Sequence, residues 1–228
     1  MLSGAWNPRS RFRHLRWGIA DRLGRGVYAG YPDLHRCIFI HIPKTAGESV
    51  VHSLFGQDQS PHIPYHDFEG ANPGKFRDYF KFAFVRNPWD RLVSNYFYLR
   101  EGRIKGADVR RWAEQNIAKY TDFADFVRNW LTRENVRSAL HFKPQHYFIC
   151  DANLRRRVDF IGRFETIDAD FRTICRRLNI TAELGRLNTG NHTHYREYYT
   201  DELRERVTAV YAEDIAIFCY QFDTADRC

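Results

Sequence analysis

The sequence predicts an α/β fold in which a short parallel sheet is flanked by helices, and three observations carry that reading. Two apolar runs, CIFIHI at residues 37–42 and KFAFVR at residues 81–86, are short and rich in the β-branched and aromatic types that fit a buried strand. Each run stops at a turn signal and resumes with apolar residues at helical spacing, which makes strand, turn and helix twice over. Strands that alternate with helices in this way argue for a parallel sheet. At 228 residues the chain is long enough for one domain with a sizeable core.

Taken in order, residues 1–36 form a basic N-terminal arm ahead of a domain spanning 37–228. The arm carries Arg9, Arg11, Arg13, Arg16, Arg22, Arg25 and Arg36, with Trp6, Phe12, Leu15, Trp17, Ile19 and Leu23 between them. Part of it suits a basic amphipathic helix, read either as a peripheral membrane or polyanion contact or as a solvated arm that packs Trp6 and Trp17 on the domain. The first strand ends at Pro43 and gives way to Lys-Thr-Ala-Gly-Glu-Ser, after which Val50, Val51, Leu54 and Phe55 form a helix closed by Gly56. Such a turn aims backbone N–H groups and the positive end of a helix dipole at one spot, so it binds anions. Lys44 adds a full charge there, and Thr45 and Ser49 add hydroxyl donors.

Residues 57–75 hold Pro61, Pro64, Gly70, Pro73 and Gly74 and read as a loop carrying His62 and His66, followed by a helical turn at 76–80. After the second strand, Asn87 is a good N-cap and Pro88 sits where a helix tolerates proline, so Leu92, Val93, Tyr96, Phe97 and Leu99 continue as a helix. Arg86 at the strand end and Ser94 two turns into that helix can then face one phosphate at the carboxyl edge of the sheet. Residues 108–130 read as two helices, with Thr121 as N-cap of the second. Residues 145–150 and 158–164 are candidates for further strands or extended segments, and 166–178 for a helix. Residues 187–195 read as a polar loop, and Thr200 caps a last helix.

Composition narrows the classes. Apolar residues at 43% and charged residues at 28% exclude a disordered chain, and aromatics at 16% suit stacking or sugar-facing surfaces as well as core. A net charge of +7 favours a polyanionic partner without choosing among nucleotide, nucleic acid, acidic glycan and anionic membrane. Five cysteines without a Cys-x-x-Cys pair indicate neither a disulfide framework nor a zinc site, and His192 with His194 lacks further ligands at metal spacing. No apolar stretch approaches a membrane span and no signal peptide opens the chain, so the expected compartment is the cytoplasm, bacterial and reducing.

PKTAGES after FIHI, and FVRNPWDRLVSNY after KFAF, resemble the two signature segments of carbohydrate sulfotransferases that use 3'-phosphoadenosine 5'-phosphosulfate (PAPS). The likeness is to the group containing heparan sulfate 2-O-sulfotransferase and the chondroitin and dermatan sulfotransferases. It extends through FKPQHYFI, VDFIGRFETIDADF and LNTGNHTHYREYYTDEL.

The resemblance implies a three-layer, P-loop-like α/β fold. It also implies transfer of the sulfuryl group of PAPS to a hydroxyl of a polysaccharide, oligosaccharide or glycolipid, with PAP as product and no metal. Matched by position, Lys44, Thr45, Ala46, Gly47, Glu48 and Ser49 would hold the 5'-phosphosulfate, and Arg86 with Ser94 the 3'-phosphate. Lys44 would also neutralise charge on the leaving oxygen. The family's catalytic base is a histidine between the two segments, here His66 first and His62 second, with His41 structural. Glu48 departs from the family's threonine and suits a backbone contact, its carboxylate turned to a capping role. Gln145 and Lys143 would face cofactor or acceptor, and Asn188 and Thr189 would close over the nucleotide.

Two other classes compete. A P-loop kinase needs Gly-x-x-x-x-Gly-Lys-Ser/Thr, and here the lysine opens the loop instead of ending it. A non-catalytic polyanion or nucleic-acid-binding module would rest on the arginines alone. No nucleic-acid recognition signature accompanies them, so no nucleic acid partner is expected.

Overall fold

The computed structural model describes residues 8–101, 106–185 and 192–223. Alternation along the apolar runs builds the molecule, because successive strand residues face opposite sides of a sheet. Strands β1 (Cys37–Ile40), β2 (Phe80–Val85) and β3 (Phe160–Arg163) form a parallel sheet in that order. Cys37 is aligned with Phe80 and Phe82 with Phe160. Cys37, Phe39, Phe82 and Phe84 turn to one face and pack on Val50, Val51 and Leu54 of one helix and Phe171 and Ile174 of another. Ile38, Ile40, Ala83 and Val85 turn to the other and join Trp89, Leu92, Val93 and Tyr96. The result is the three-layer α/β arrangement expected, each fully buried Val, Leu, Ile or Phe contributing about 1.5–3 kcal/mol.

The helices are α1 (Pro8–Arg22), α2 (Tyr31–His35), α3 (Gly47–Phe55), α4 (Tyr65–Ala71), α5 (Pro73–Asp78), α6 (Pro88–Arg100), α7 (Ala107–Asn116) and α8 (Phe123–Asn129). They continue with α9 (Arg133–Ser138), α10 (His146–Ile149), α11 (Ile167–Leu178), α12 (Asp201–Val210) and α13 (Ala212–Phe218). Helices α3 and α11 cover one face of the sheet, while α6 leads the larger layer on the other.

Local departures from the sequence reading have identifiable causes. Residues 57–75, expected as loop, contain α4 and begin α5. Pro64 stands just before one helix and Pro73 opens the other, and the Asn72 side chain accepts from the Lys75 N–H. These prolines open helices instead of breaking them. The 145–150 stretch is the turn α10 and not a strand, because the buried carboxylate of Asp214 accepts from the backbone N–H groups of Gln145 and His146 at 2.6 and 2.9 Å. Asp122, not Thr121, caps α8 through the Asp125 N–H. Thr200 caps α12 as expected.

Helix α1 lies along α4 and is tied to α5 through Lys75. Arg13 and His14 reach Asp67, Asn72 and Lys75 reach Asp21, and Trp17 packs on the larger core. Trp6 is outside the described residues. Cys37, Cys150 and Cys175 are buried free thiols. Among the described residues no helix is long and apolar enough to cross a membrane.

Candidate active site

Because the strands are parallel, their carboxyl ends meet at one edge of the sheet, and all three open onto a cavity of about 710 Å³. That volume suits a nucleotide-sized ligand. β1 contributes His41 and the turn into α3, β2 contributes Arg86, and β3 contributes Phe164 to Thr166.

The turn after β1 is held in an uncommon shape. Lys44 and Ala46 have φ of 67° and 64°, a left-handed conformation that costs non-glycine residues roughly 1–3 kcal/mol and persists where surroundings enforce it. Three side chains enforce it here. Thr45, fully buried between them, donates its hydroxyl to the Ile42 carbonyl at 2.9 Å. Arg91, also buried, donates to the Pro43 carbonyl at 2.9 Å and to those of His141 and Lys143 at 3.1 and 3.0 Å. Arg86 donates to the Lys44 carbonyl at 3.2 Å. At Gly47 a Cβ would stand 2.0 Å from the His41 ring, so only glycine lets α3 begin there. Lys44, Ala46, Gly47, Glu48 and Ser49 then border the cavity at the positive end of the α3 dipole. Thr45 does not border it, since its hydroxyl braces the loop from within.

Arg86 is more committed than its strand-end position suggests. Its guanidinium makes a two-pronged pair with Asp90 at 2.8 and 2.9 Å and lies 3.9 Å from the Phe164 ring centroid. Gln145, which the sequence reading turned toward the ligand, is fully buried and clamps the Arg86 backbone instead. It accepts from the Arg86 N–H at 2.9 Å and donates to the Arg86 carbonyl at 2.8 Å. A guanidinium has five N–H donors and Arg86 spends three of them on Asp90 and the Lys44 carbonyl, so two have no partner among the described residues and can meet a ligand. Ser94 borders the same space. Glu165 accepts from the Asn87 N–H and the Tyr220 hydroxyl, and burial pushes its pKa up.

Three imidazoles line the wall beside Lys44. A carbonyl can only accept, so the 2.8 Å contact of His41 Nδ1 with the Ser60 carbonyl and the 3.1 Å contact of His62 Nδ1 with the His41 carbonyl put the proton on Nδ1 in both rings. That tautomer leaves Nε2 of His62 as an acceptor. The His41 and His62 ring centroids are 4.2 Å apart and those of His62 and His141 5.7 Å. Tyr98 stands 5.8 Å beyond His141, and the Lys44 ammonium sits 4.1 Å from the Tyr98 centroid. Burial lowers the pKa of His41 well below its ordinary value, that of His62 to about 4 and that of His141 to about 3, with the Lys44 charge adding to each. All three are neutral at pH 7. Nδ1 of His141 is buried and has no hydrogen-bond partner among the described residues.

His66, the first choice for the base, is not among the residues of this wall. It lies on α4 with Nε2 3.8 Å from Asp67 and its ring against Tyr65 and Tyr147. Lys143 lies over the Tyr147 ring at 4.0 Å, also outside the cavity lining. Asn188 and Thr189 fall outside the described residues. His192 borders the cavity and His194 does not, and among the described residues no group of three or more His, Cys, Asp and Glu is placed to hold a metal ion.

The sequence reading missed His141, Tyr98 and Arg172, all of which border the cavity. Arg172 was within reach. Asp168, Ala169 and Arg172 recur at i, i+1 and i+4, opposite the apolar Phe171 and Ile174, so the polar face of a helix that follows a strand end was visible. His141 had no such signal, because only the fold brings α6 and the segment after α9 to the same wall.

The cavity therefore combines cationic groups, a helix N-terminus and neutral proton acceptors. A profile of the sulfotransferase family matches residues 32–221 of the chain. An uncharacterized protein of Archaeoglobus fulgidus is 32% identical over 124 residues, covering 54% of this chain and 87% of its own. The match across both strand-turn-helix units and the strand ends that line the cavity places this chain in the sulfotransferase family.

Proposed function

We propose that the protein transfers the sulfuryl group of PAPS to a hydroxyl of a carbohydrate. The observation that carries this reading is the convergence, in one cavity, of the Lys44 ammonium, the α3 N-terminus and the neutral His62 imidazole. PAPS supplies the activated sulfuryl group. Lys44 and the N–H groups opening α3 receive the phosphosulfate end, while Ser94 and the two uncommitted N–H groups of Arg86 receive the 3'-phosphate.

The attacking hydroxyl must lose a proton, and His62 Nε2 takes it, with the Nδ1–H fixed on the His41 carbonyl to hold the ring and its tautomer. In the ligand-free site His62 is a weak base, with a pKa of about 4. A bound polyanion raises that value toward neutrality, so the base strengthens when the donor is in place. Lys44 stabilises negative charge developing on the departing phosphate. The carbohydrate acceptor, as polysaccharide, oligosaccharide or glycolipid, rests on the resemblance of the signature segments.

Titration calorimetry with PAP against ADP in EDTA tests the donor. Micromolar binding of PAP with much weaker binding of ADP is expected. Equal binding of both, or binding only of ATP with magnesium, overturns the assignment in favour of another nucleotide.

A further inference from the structure

Helix α1 buries one face, and among the described residues nothing covers the other. His14 and Arg13 engage Asp67, Asp21 accepts from Asn72 and Lys75, and a Cβ on Gly18 would lie 3.2 Å from the Ala71 carbonyl. Those contacts fix the rotation of the helix about its own axis. On its outer face Leu15 and Ile19 are 63 and 53% exposed, and Leu23, in the turn just past the helix end and hydrogen-bonded back to the Ile19 carbonyl, is 69% exposed. Residues four apart drift only about 40° around a helix, so the three form one row. By the same rotation Arg16 and Arg22 flank that row, one on each side, and Arg25 follows just past its end. All three arginines are exposed, and among the described residues none has a carboxylate partner.

We propose that this face docks on an anionic lipid bilayer, with Leu15, Ile19 and Leu23 entering the acyl boundary and Arg16, Arg22 and Arg25 meeting lipid phosphates. Long arginine side chains reach outward while an apolar row sinks inward, which lets both occupy one side of a helix at a membrane surface. A nucleic acid or acidic glycan would satisfy the arginines and leave the apolar row facing water. A second copy of the chain packed through the same face by a two-fold axis would set Arg16 and Arg22 against their own likenesses, which repel. The bilayer alone answers to both the charge and the apolar row.

The test is flotation of the full chain with vesicles of phosphatidylcholine alone, or with about one third phosphatidylserine, at low and high salt. Binding to the anionic vesicles only, weakened by salt, is expected. The variant R16Q/R22Q should lose roughly 25-fold, at about fivefold per arginine. The variant L15S/I19S/L23S should lose at least tenfold, with PAP binding unchanged as the sign that the fold is intact. Absence of flotation on anionic vesicles overturns the proposal. So does flotation that survives the triple serine change, which would mark a charge-only polyanion contact, or a dimer in solution that the triple change dissociates.

Discussion

Lys44 and His62 sit within one cavity yet should fail differently when removed. Lys44→Ala takes away a preorganised cation where charge develops, and donors of that kind are worth about 3–4 kcal/mol, so sulfate transfer should fall by hundreds-fold. A loss under tenfold would leave Lys44 as a half-buried loop lysine that packs on Tyr98 and takes no part in the transfer. His62→Ala should leave PAP affinity intact while turnover drops by about 10²–10⁴, whereas His66→Ala should keep near-normal turnover; the reverse pattern would restore His66 as the base. The pH profile separates them further. Since the free-site pKa of His62 is about 4 and a bound anion raises it, the acid limb of kcat should lie at higher pH than that of kcat/KM, and vanish in His62→Ala. Lys44, Gly47 and Arg86 were legible because their chemistry is local to a strand end. The choice between two histidines four residues apart was not, because it depends on α4 turning His66 toward Asp67 and away from the cavity.

The decisive element is the turn from β1 into α3, where geometry is bought by buried hydrogen bonds. Ala46 adopts φ of 64° with no residue-specific reason to be alanine, so Ala46→Gly relieves left-handed strain of roughly 1–2 kcal/mol and should raise or hold stability despite glycine's entropy. Gly47→Ala, one residue on, places a methyl 2.0 Å from the His41 ring and should lower the melting temperature and weaken PAP binding together. If both variants melt like the parent, the packing of His41 on α3 does not hold the loop. The two strand-turn-helix units were readable from period and punctuation. Residues 57–75 and 145–150 were not, since prolines that start helices look like prolines that end them, and a carboxylate 69 positions away along the chain caps Gln145.

For the whole molecule, the three neutral imidazoles tie folding to pH. His41, His62 and His141 are held below the ordinary value of 6.5 by burial, and each returns to it on unfolding. The unfolded chain therefore binds more protons below pH 6.5. Stability is fully present above that pH and declines as pH falls from 6.5 toward the folded values, about 4 for His62 and 3 for His141, by up to about 1.4 kcal/mol per pH unit for each ring. Between pH 6.5 and 5.5, as the unfolded rings go from half to mostly protonated, His62 and His141 each cost about 1 kcal/mol of stability, which together lower the melting temperature by roughly 4–8 °C, and His41 adds in the same direction. His62→Gln and His141→Asn should each flatten that slope. A polyanion in the cavity raises the same three values, so PAP should bind more tightly as pH falls from 7 to 5.5 and take up protons on binding. Calorimetry in buffers of different ionisation enthalpy reads that uptake directly. A melting temperature flat from pH 7 to 5, with no proton taken up by PAP, would mean that the histidine wall is solvated and that the cavity does not join proton acceptor to anion site.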